Sequence, residues 1–350
     1  MSPGGNESQV RLASGRPGCA APGLRVPPLH VDLVITDQER DNLIDSLGSV
    51  RANPYRHYED FCAEVRRIAR SAGTPARLRE YAAQRRAESA VDSPTGLVKN
   101  APIDPSLPVF DHEEPVRSKH ALKTTFVAEG FLTLYAELAG TPGISYENAN
   151  LGDVFHDVYP GPGSAGDLAQ KSLGPISFHR DLANHFVRPD YLYMLGMRSG
   201  GANAVHTTFA SNKEVISRMD AASLTVARQS RFETPGEPPV HPLVSGAWGL
   251  RVSENRTEGL DAEAESVLRA VVGIVHAVKR GIDIQPGDFV IICNNHCVHS
   301  RELAEFADPA QLATRWLIKT MNVDSRGPHA RHLVDGVPYM VRSEPGDAFE

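Results

Sequence analysis

The chain has 350 residues, 41% of them hydrophobic, enough to bury a full core in one elaborated domain. A formal net charge of −7 supplies no general basic field, which argues against nucleic acid or an anionic membrane surface as partner and leaves small molecules. Four cysteines, Cys19, Cys62, Cys293 and Cys297, are too few and too scattered for a disulfide framework and are expected to be free thiols in a reducing cytoplasm.

In chain order, residues 1–29 are rich in Gly, Pro and Ser, lack the apolar core of a signal peptide and read as a disordered leader before a single domain over 30–350. No later segment is long and apolar enough to span a bilayer. His30 to Ile35 alternates like a half-buried strand, and Thr36 with Glu39 forms a capping box for the helix that follows. Tyr58 to Ala69 carries apolar residues at helical spacing, and Thr74-Pro75 starts another helix. The arginines between Arg51 and Arg86 are interleaved with Glu59, Asp60, Glu64, Glu80 and Glu88, so they read as solvated helix faces. A short strand follows from Gly96, and the pattern predicts one helix from Lys119 to Leu138, closed by Gly140 and Pro142. Val154 to Tyr159 is strand-like and runs into a glycine- and proline-rich loop over 160–165. Tyr191 to Met197 and Ala204 to Phe209 read as two buried strands, and Ser211 with Glu214 caps a helix. Trp248 to Val252 is a further strand and Asp261 to Arg280 an apolar helix stopped by Gly281. Phe289 to Cys293 has the pattern of a central strand, and Arg315 to Met321 supplies the returning one. Short strands with Pro-Gly turns in the second half, preceded by helices, predict an α+β fold: a double-stranded β-helix, or jelly-roll, core with flanking α-helices.

One stretch carries chemistry. His179-Arg180-Asp181 is an H-x-D pair, and residues two apart on an extended segment project to the same face, so both could bind one ion. With a distant histidine such as His299, 120 residues on, it makes the 2-His-1-carboxylate set that leaves three adjacent positions open on Fe(II). An H-x-D alone is a weak signal, since most histidines are hydrogen-bonded surface or core residues. Cys293, Cys297 and His299 raise zinc as an alternative, although their spacing fits no common zinc module. His185, His206 and His296 are expected to lie near the proposed centre and read as supporting or surface residues rather than ligands. Ser177 has no nucleophile elbow around it.

The blocks together resemble a known family. The segment Phe178-His179-Arg180-Asp181-Leu182-Ala183-Asn184-His185, with Arg188-Pro189-Asp190-Tyr191 after it, is similar to the metal-binding region of clavaminate synthase-like oxygenases, a branch of the Fe(II)/2-oxoglutarate-dependent dioxygenases that includes hydroxylases of free amino acids. Cys293 to Arg301 resembles the stretch around that family's distal histidine, with Asn294, His299 and Arg301 at the familiar spacing. Arg315-Trp316-Leu317, beginning 16 residues beyond His299, resembles the block that holds the cosubstrate. The likeness covers roughly 96–321 and rests on an ordered set of blocks. It implies that His179, Asp181 and His299 bind iron, that Arg315 and Thr207 anchor 2-oxoglutarate, and that dioxygen is the second cosubstrate. A planar arginine fork suits the remote carboxylate better than a lysine would. The expected reaction is hydroxylation of an unactivated C–H in a small carboxylate-bearing substrate, a free amino acid or derivative, within specialised metabolism such as antibiotic biosynthesis. Desaturation or cyclisation on the same centre is the alternative within the family; a metal-binding jelly-roll without turnover and a zinc hydrolase are the alternatives outside it.

The chain also departs from its apparent relatives. Many have Glu as the metal carboxylate where this chain has Asp181, and four residues after Arg315 they carry a second arginine for the substrate carboxylate, where this chain has Lys319. Lys319 is therefore expected to face the barrel interior and to take the carboxylate of the substrate, with Gln170, Ser172 and Arg301 as further substrate contacts. An acidic grip on a guanidinium, matched to Ser253-Glu254-Asn255, is not retained, which argues against arginine as substrate.

Overall fold

The structure is a computed structural model that describes residues 26–111, 114–159, 175–235, 237–305 and 307–343. The run Phe289–Cys293 is apolar throughout because both of its faces are covered: Phe289 and Ile291 pack in a core shared with helices, whereas Val290 and Ile292 pack in a second core that also holds Phe209 and Cys297. Tyr191–Arg198 repeats this division, with Tyr193, Leu195 and Met197 on the helix side and Leu192 and Met194 on the other. So does Trp316–Asn322, where Leu317 and Met321 face the second core and Lys319, between them in alternation, points the same way.

These strands form the middle of a nine-stranded sheet. Its order is Leu33–Val34, Thr95–Lys99, Phe289–Cys293, Tyr191–Arg198, Trp316–Asn322, Gly143–Tyr146, Val337–Val341 and Leu333–Val334, with Phe155–Val158 also paired to Trp316–Asn322. A four-stranded antiparallel sheet, in the order Arg280–Asp283, Ala204–Ser211, Cys297–Glu305 and Ile176–His179, packs Phe209, Cys297 and Ile282 against it. Helices Asp37–Gly48, Tyr58–Arg70, Ala76–Ala87 and Val127–Ala139 cover the outer face of the large sheet, and Ala262–Val278 covers that of the small one through Phe178, Ala210 and Val298.

The capping box at Thr36 forms as expected: the Glu39 N–H donates to Thr36 Oγ1 at 3.2 Å and the Thr36 N–H donates to Glu39 Oε2 at 2.8 Å. The helix expected over 119–138 is instead two, Pro115–Leu122 and Val127–Ala139. The break is held by buried charge: Lys123 Nζ lies 2.7 Å from Asp104 Oδ2 and 2.9 Å from Glu129 Oε2, and the Asp104 carboxylate accepts from the Val127 and Ala128 N–H groups. Trp248 to Val252 shrinks to Gly249–Leu250, paired with Val244–Ser245. Residues 26–29, expected to belong to the leader, pack on the small sheet. Pro28 bridges Gly281, with Leu29 N–H donating to Gly281 O and Gly281 N–H to Pro27 O, both at 2.9 Å. A Cβ at Gly281 would lie 3.0 Å from Val26 Cγ1, so the glycine permits this approach. Among the described residues no helix is long and apolar enough to cross a membrane.

Candidate metal centre

The small sheet brings the two histidines together directly. His179, at the end of Ile176–His179, lies opposite His299 of Cys297–Glu305 in the antiparallel ladder, and their ring centroids are 4.5 Å apart. Directly opposed residues share a face, which is why residues 120 positions apart present imidazoles to one point. On the neighbouring strand Phe209 opposes His299 and Thr207 opposes Arg301, so Thr207, His299 and Arg301 look toward the core between the sheets, where Phe209 packs.

Asp181 lies just beyond the strand, in a turn. Leu182 adopts a left-handed conformation (φ 50°), and the buried Asn294 holds the turn: its Oδ1 accepts the Asp181 N–H at 3.1 Å, and its Nδ2 donates to the carbonyls of Asp181 and Pro189 at 2.9 and 3.0 Å. The H-x-D geometry thus comes from a strand end plus an asparagine clamp rather than from strand alternation alone. The spacing singled out Asn294, but nothing in the sequence disclosed this task. On the other side, the Phe178 N–H donates to Glu254 Oε2 and the Glu254 N–H to Phe178 O, which ties the ligand strand to the 253–257 turn.

The ligand atoms of His179, Asp181 and His299 all lie within 4.8 Å of one another. Asp181 Oδ1 is 3.2 Å from His179 Nε2 and 3.4 Å from His299 Nε2. His179 Nδ1 sits 2.9 Å from Ser177 O, so that nitrogen carries the proton and Nε2 presents its lone pair to the centre. Burial, and then the neighbouring His179, push the His299 imidazole down, which favours the neutral form a ligand needs. Burial works to raise the Asp181 carboxyl, but Lys319 and the two imidazoles outweigh it and hold the carboxyl well below the usual range. Two imidazoles and one carboxylate suit ferrous iron.

Arg315 is 1% exposed, and its Nε and Nη2 have no hydrogen-bond partner among the described residues. Burial pushes its guanidinium down to about 10, with Asp283 opposing the shift. A charged fork of this kind is stable in a protein interior when an anion completes it. Arg301 is also buried and pushed down to about 10, by burial and then by Arg315. Thr207 is buried, and none of the described hydrogen bonds joins it to Arg315.

Lys319 differs from expectation. Its ammonium, 3% exposed, is not free to seek a substrate anion: Nζ lies 2.7 Å from Asp181 Oδ2. The desolvation argument for a substrate carboxylate at this position therefore fails, because the Asp181 carboxylate already compensates the charge. Gln170 and Ser172 lie outside the described residues. Glu254 is engaged at both oxygens, with the Phe178 N–H and with His276 Nε2 at 2.6 Å, in keeping with a lost guanidinium clamp. The cysteine alternative finds no support: Cys293 and Cys297 turn toward backbone carbonyls, and His179, Asp181 and His299 form the group able to hold a metal ion among the described residues.

No family model matches the chain. It is 25% identical over 331 residues to the L-lysine 3-hydroxylase of Catenulispora acidiphila, spanning 87% of this chain and 88% of that protein. It is 27% identical over 299 residues to clavaminate synthase 2 of Streptomyces clavuligerus, spanning 79% and 88%. Its fold matches that of asparagine oxygenase, solved with Fe(II), 2S,3S-3-hydroxyasparagine and succinate, with a TM-score of 0.75 at 19% identity over 89% of this chain and 99% of that one. The chain is thus similar over most of its length to an amino-acid hydroxylase and to clavaminate synthase, and it shares the fold of asparagine oxygenase.

Proposed function

We propose that the protein is an Fe(II)/2-oxoglutarate-dependent hydroxylase of a small carboxylate-bearing substrate, a free amino acid or a close derivative. The observation that carries this reading is the unsatisfied guanidinium of Arg315, buried in the same molecule as a closed His179–Asp181–His299 cluster. A hydrolase or a structural metal site has no use for a buried arginine waiting for a carboxylate. The two sheets are read as the walls of a double-stranded β-helix, with the centre on the small sheet and the large sheet opposite.

Each residue has a physical task. His179, Asp181 and His299 would hold the iron, and bound iron would supply the oxidation of an unactivated C–H bond, with dioxygen as the oxidant and 2-oxoglutarate as the co-reductant that leaves as succinate and carbon dioxide. Arg315 would take the remote carboxylate of the cosubstrate through its fork, and Thr207 is proposed to assist from the small sheet. Asn294 fixes the Asp181 backbone, and Glu254 fixes the strand carrying His179. Apolar side chains between the sheets, among them Phe209, Met194 and Leu317, keep water from the site.

The test is anaerobic addition of Fe(II) and then 2-oxoglutarate, followed by succinate release in air across a panel of amino acids. A visible charge-transfer band that needs both additions, with succinate formation stimulated by at least one free amino acid, is the expected result. Absence of any 2-oxoglutarate-dependent band would overturn the assignment.

A further inference from the structure

The two oxygens of Asp181 have different partners. Oδ1 faces the imidazoles, 3.2 Å from His179 Nε2 and 3.4 Å from His299 Nε2, whereas Oδ2 receives Lys319 Nζ at 2.7 Å. The histidines belong to the small sheet and Asp181 to the loop just beyond it, but Lys319 comes from Trp316–Asn322 in the middle of the large sheet, opposite Met194 on one side and His156 on the other. The contact therefore bridges the two walls. Both side chains are deeply buried, and Asp181 is the carboxylate within ion-pair distance of Lys319 among the described residues.

We infer that Lys319 is a positioning residue that occupies Oδ2 of Asp181 and so restricts the carboxylate to binding metal through Oδ1 alone. This rests on the proposed iron site. The consequence is one of coordination count. Three single-atom protein ligands leave three positions, two for a chelating 2-oxoglutarate and one for a diatomic ligand. A carboxylate binding through both oxygens would fill the last of these. Aspartate is short and would swing on its χ2 torsion, which is broad, so something must fix the rotation. A buried ammonium on a rigid central strand does so with a charge-assisted hydrogen bond. Without it, no other ion-pair partner of Oδ2 remains among the described residues, and that oxygen is open to the metal.

Nitric oxide, which binds Fe(II) without turnover, probes the last open position. It is titrated into the Fe(II)–2-oxoglutarate form of wild type, Lys319→Met and Lys319→Arg, monitored by the paramagnetic resonance signal of the adduct. In Lys319→Met the affinity for 2-oxoglutarate should stay within about 3-fold of wild type while that for nitric oxide falls about 10-fold or more, the size of a lost hydrogen bond to a charged group. Lys319→Arg keeps a cationic donor and should retain nitric oxide binding within about 3-fold. Should Lys319→Met not fold, Lys319→Leu, which also lacks any donor, replaces it in the same comparison. Nitric oxide affinity equal to wild type in the uncharged variant, or an equal loss in Lys319→Arg, would overturn the inference. Failure of wild type to form the 2-oxoglutarate complex would instead overturn the function proposed above.

Discussion

Replacing Arg315 by alanine separates the cosubstrate reading from every other use of this pocket. The side chain is 1% exposed and two of its nitrogens lack partners among the described residues, so no neighbouring side chain already fills its role. Truncating one member of a buried, hydrogen-bonded charge pair costs about 2–5 kcal/mol. Water admitted to the vacated space favours the low end, and about 2 kcal/mol corresponds to about 30-fold in affinity. Arg315→Lys keeps the charge but loses the fork and should fall between the two, at about 10-fold. The assay is anaerobic titration of 2-oxoglutarate into the Fe(II) protein, followed by the charge-transfer band. Thermal unfolding supplies an independent reading: saturating 2-oxoglutarate should raise the Tm of wild type by mass action and leave Arg315→Ala almost unmoved at the same concentration. Without ligand, the variant should not lose stability as a core truncation does, because it removes a buried cation with unsatisfied donors. Equal 2-oxoglutarate affinity and an equal thermal shift in wild type and Arg315→Ala would refute the reasoning.

Three further outcomes follow from the geometry. Asp181→Ala should abolish tight Co(II) binding and lower stability by about 3–5 kcal/mol, because Lys319 is left as an uncompensated buried charge; adding Lys319→Met should recover most of that loss, and a double variant as weak to urea as the single one would refute the pairing. Asn294→Ala frees the Asp181 turn and should weaken Co(II) binding about 10–100-fold with little change in the far-UV spectrum; unchanged affinity would mean that the strand end alone sets the ligand. In the amino-acid panel L-arginine should not be the best stimulant of succinate release, since Glu254 is already committed to Phe178 and His276; a clear preference for arginine would place a guanidinium clamp elsewhere.

The sequence by itself determined the strands whose two faces are both buried. Phe289–Cys293 was readable to the residue, and Tyr191–Arg198 and Trp316–Asn322 to within one position at each end, because continuous apolar runs between turn residues admit few other structures. It also named His179, Asp181, His299 and Arg315, since the order of residue types survives in a chain even when their contacts do not. Periodicity could not locate the break between Pro115–Leu122 and Val127–Ala139, which depends on Asp104 and Glu129 meeting Lys123 in space. Nor could it join Pro28 to Gly281 across the fold. The partner of Lys319 was decided only in three dimensions. A lysine on a central strand must find an anion, but which anion depends on how far the two sheets stand apart and where the loop after His179 turns. Those distances are set by the packing of Phe209, Met194 and Leu317 and by the Asn294 clamp, and they deliver the carboxylate of Asp181.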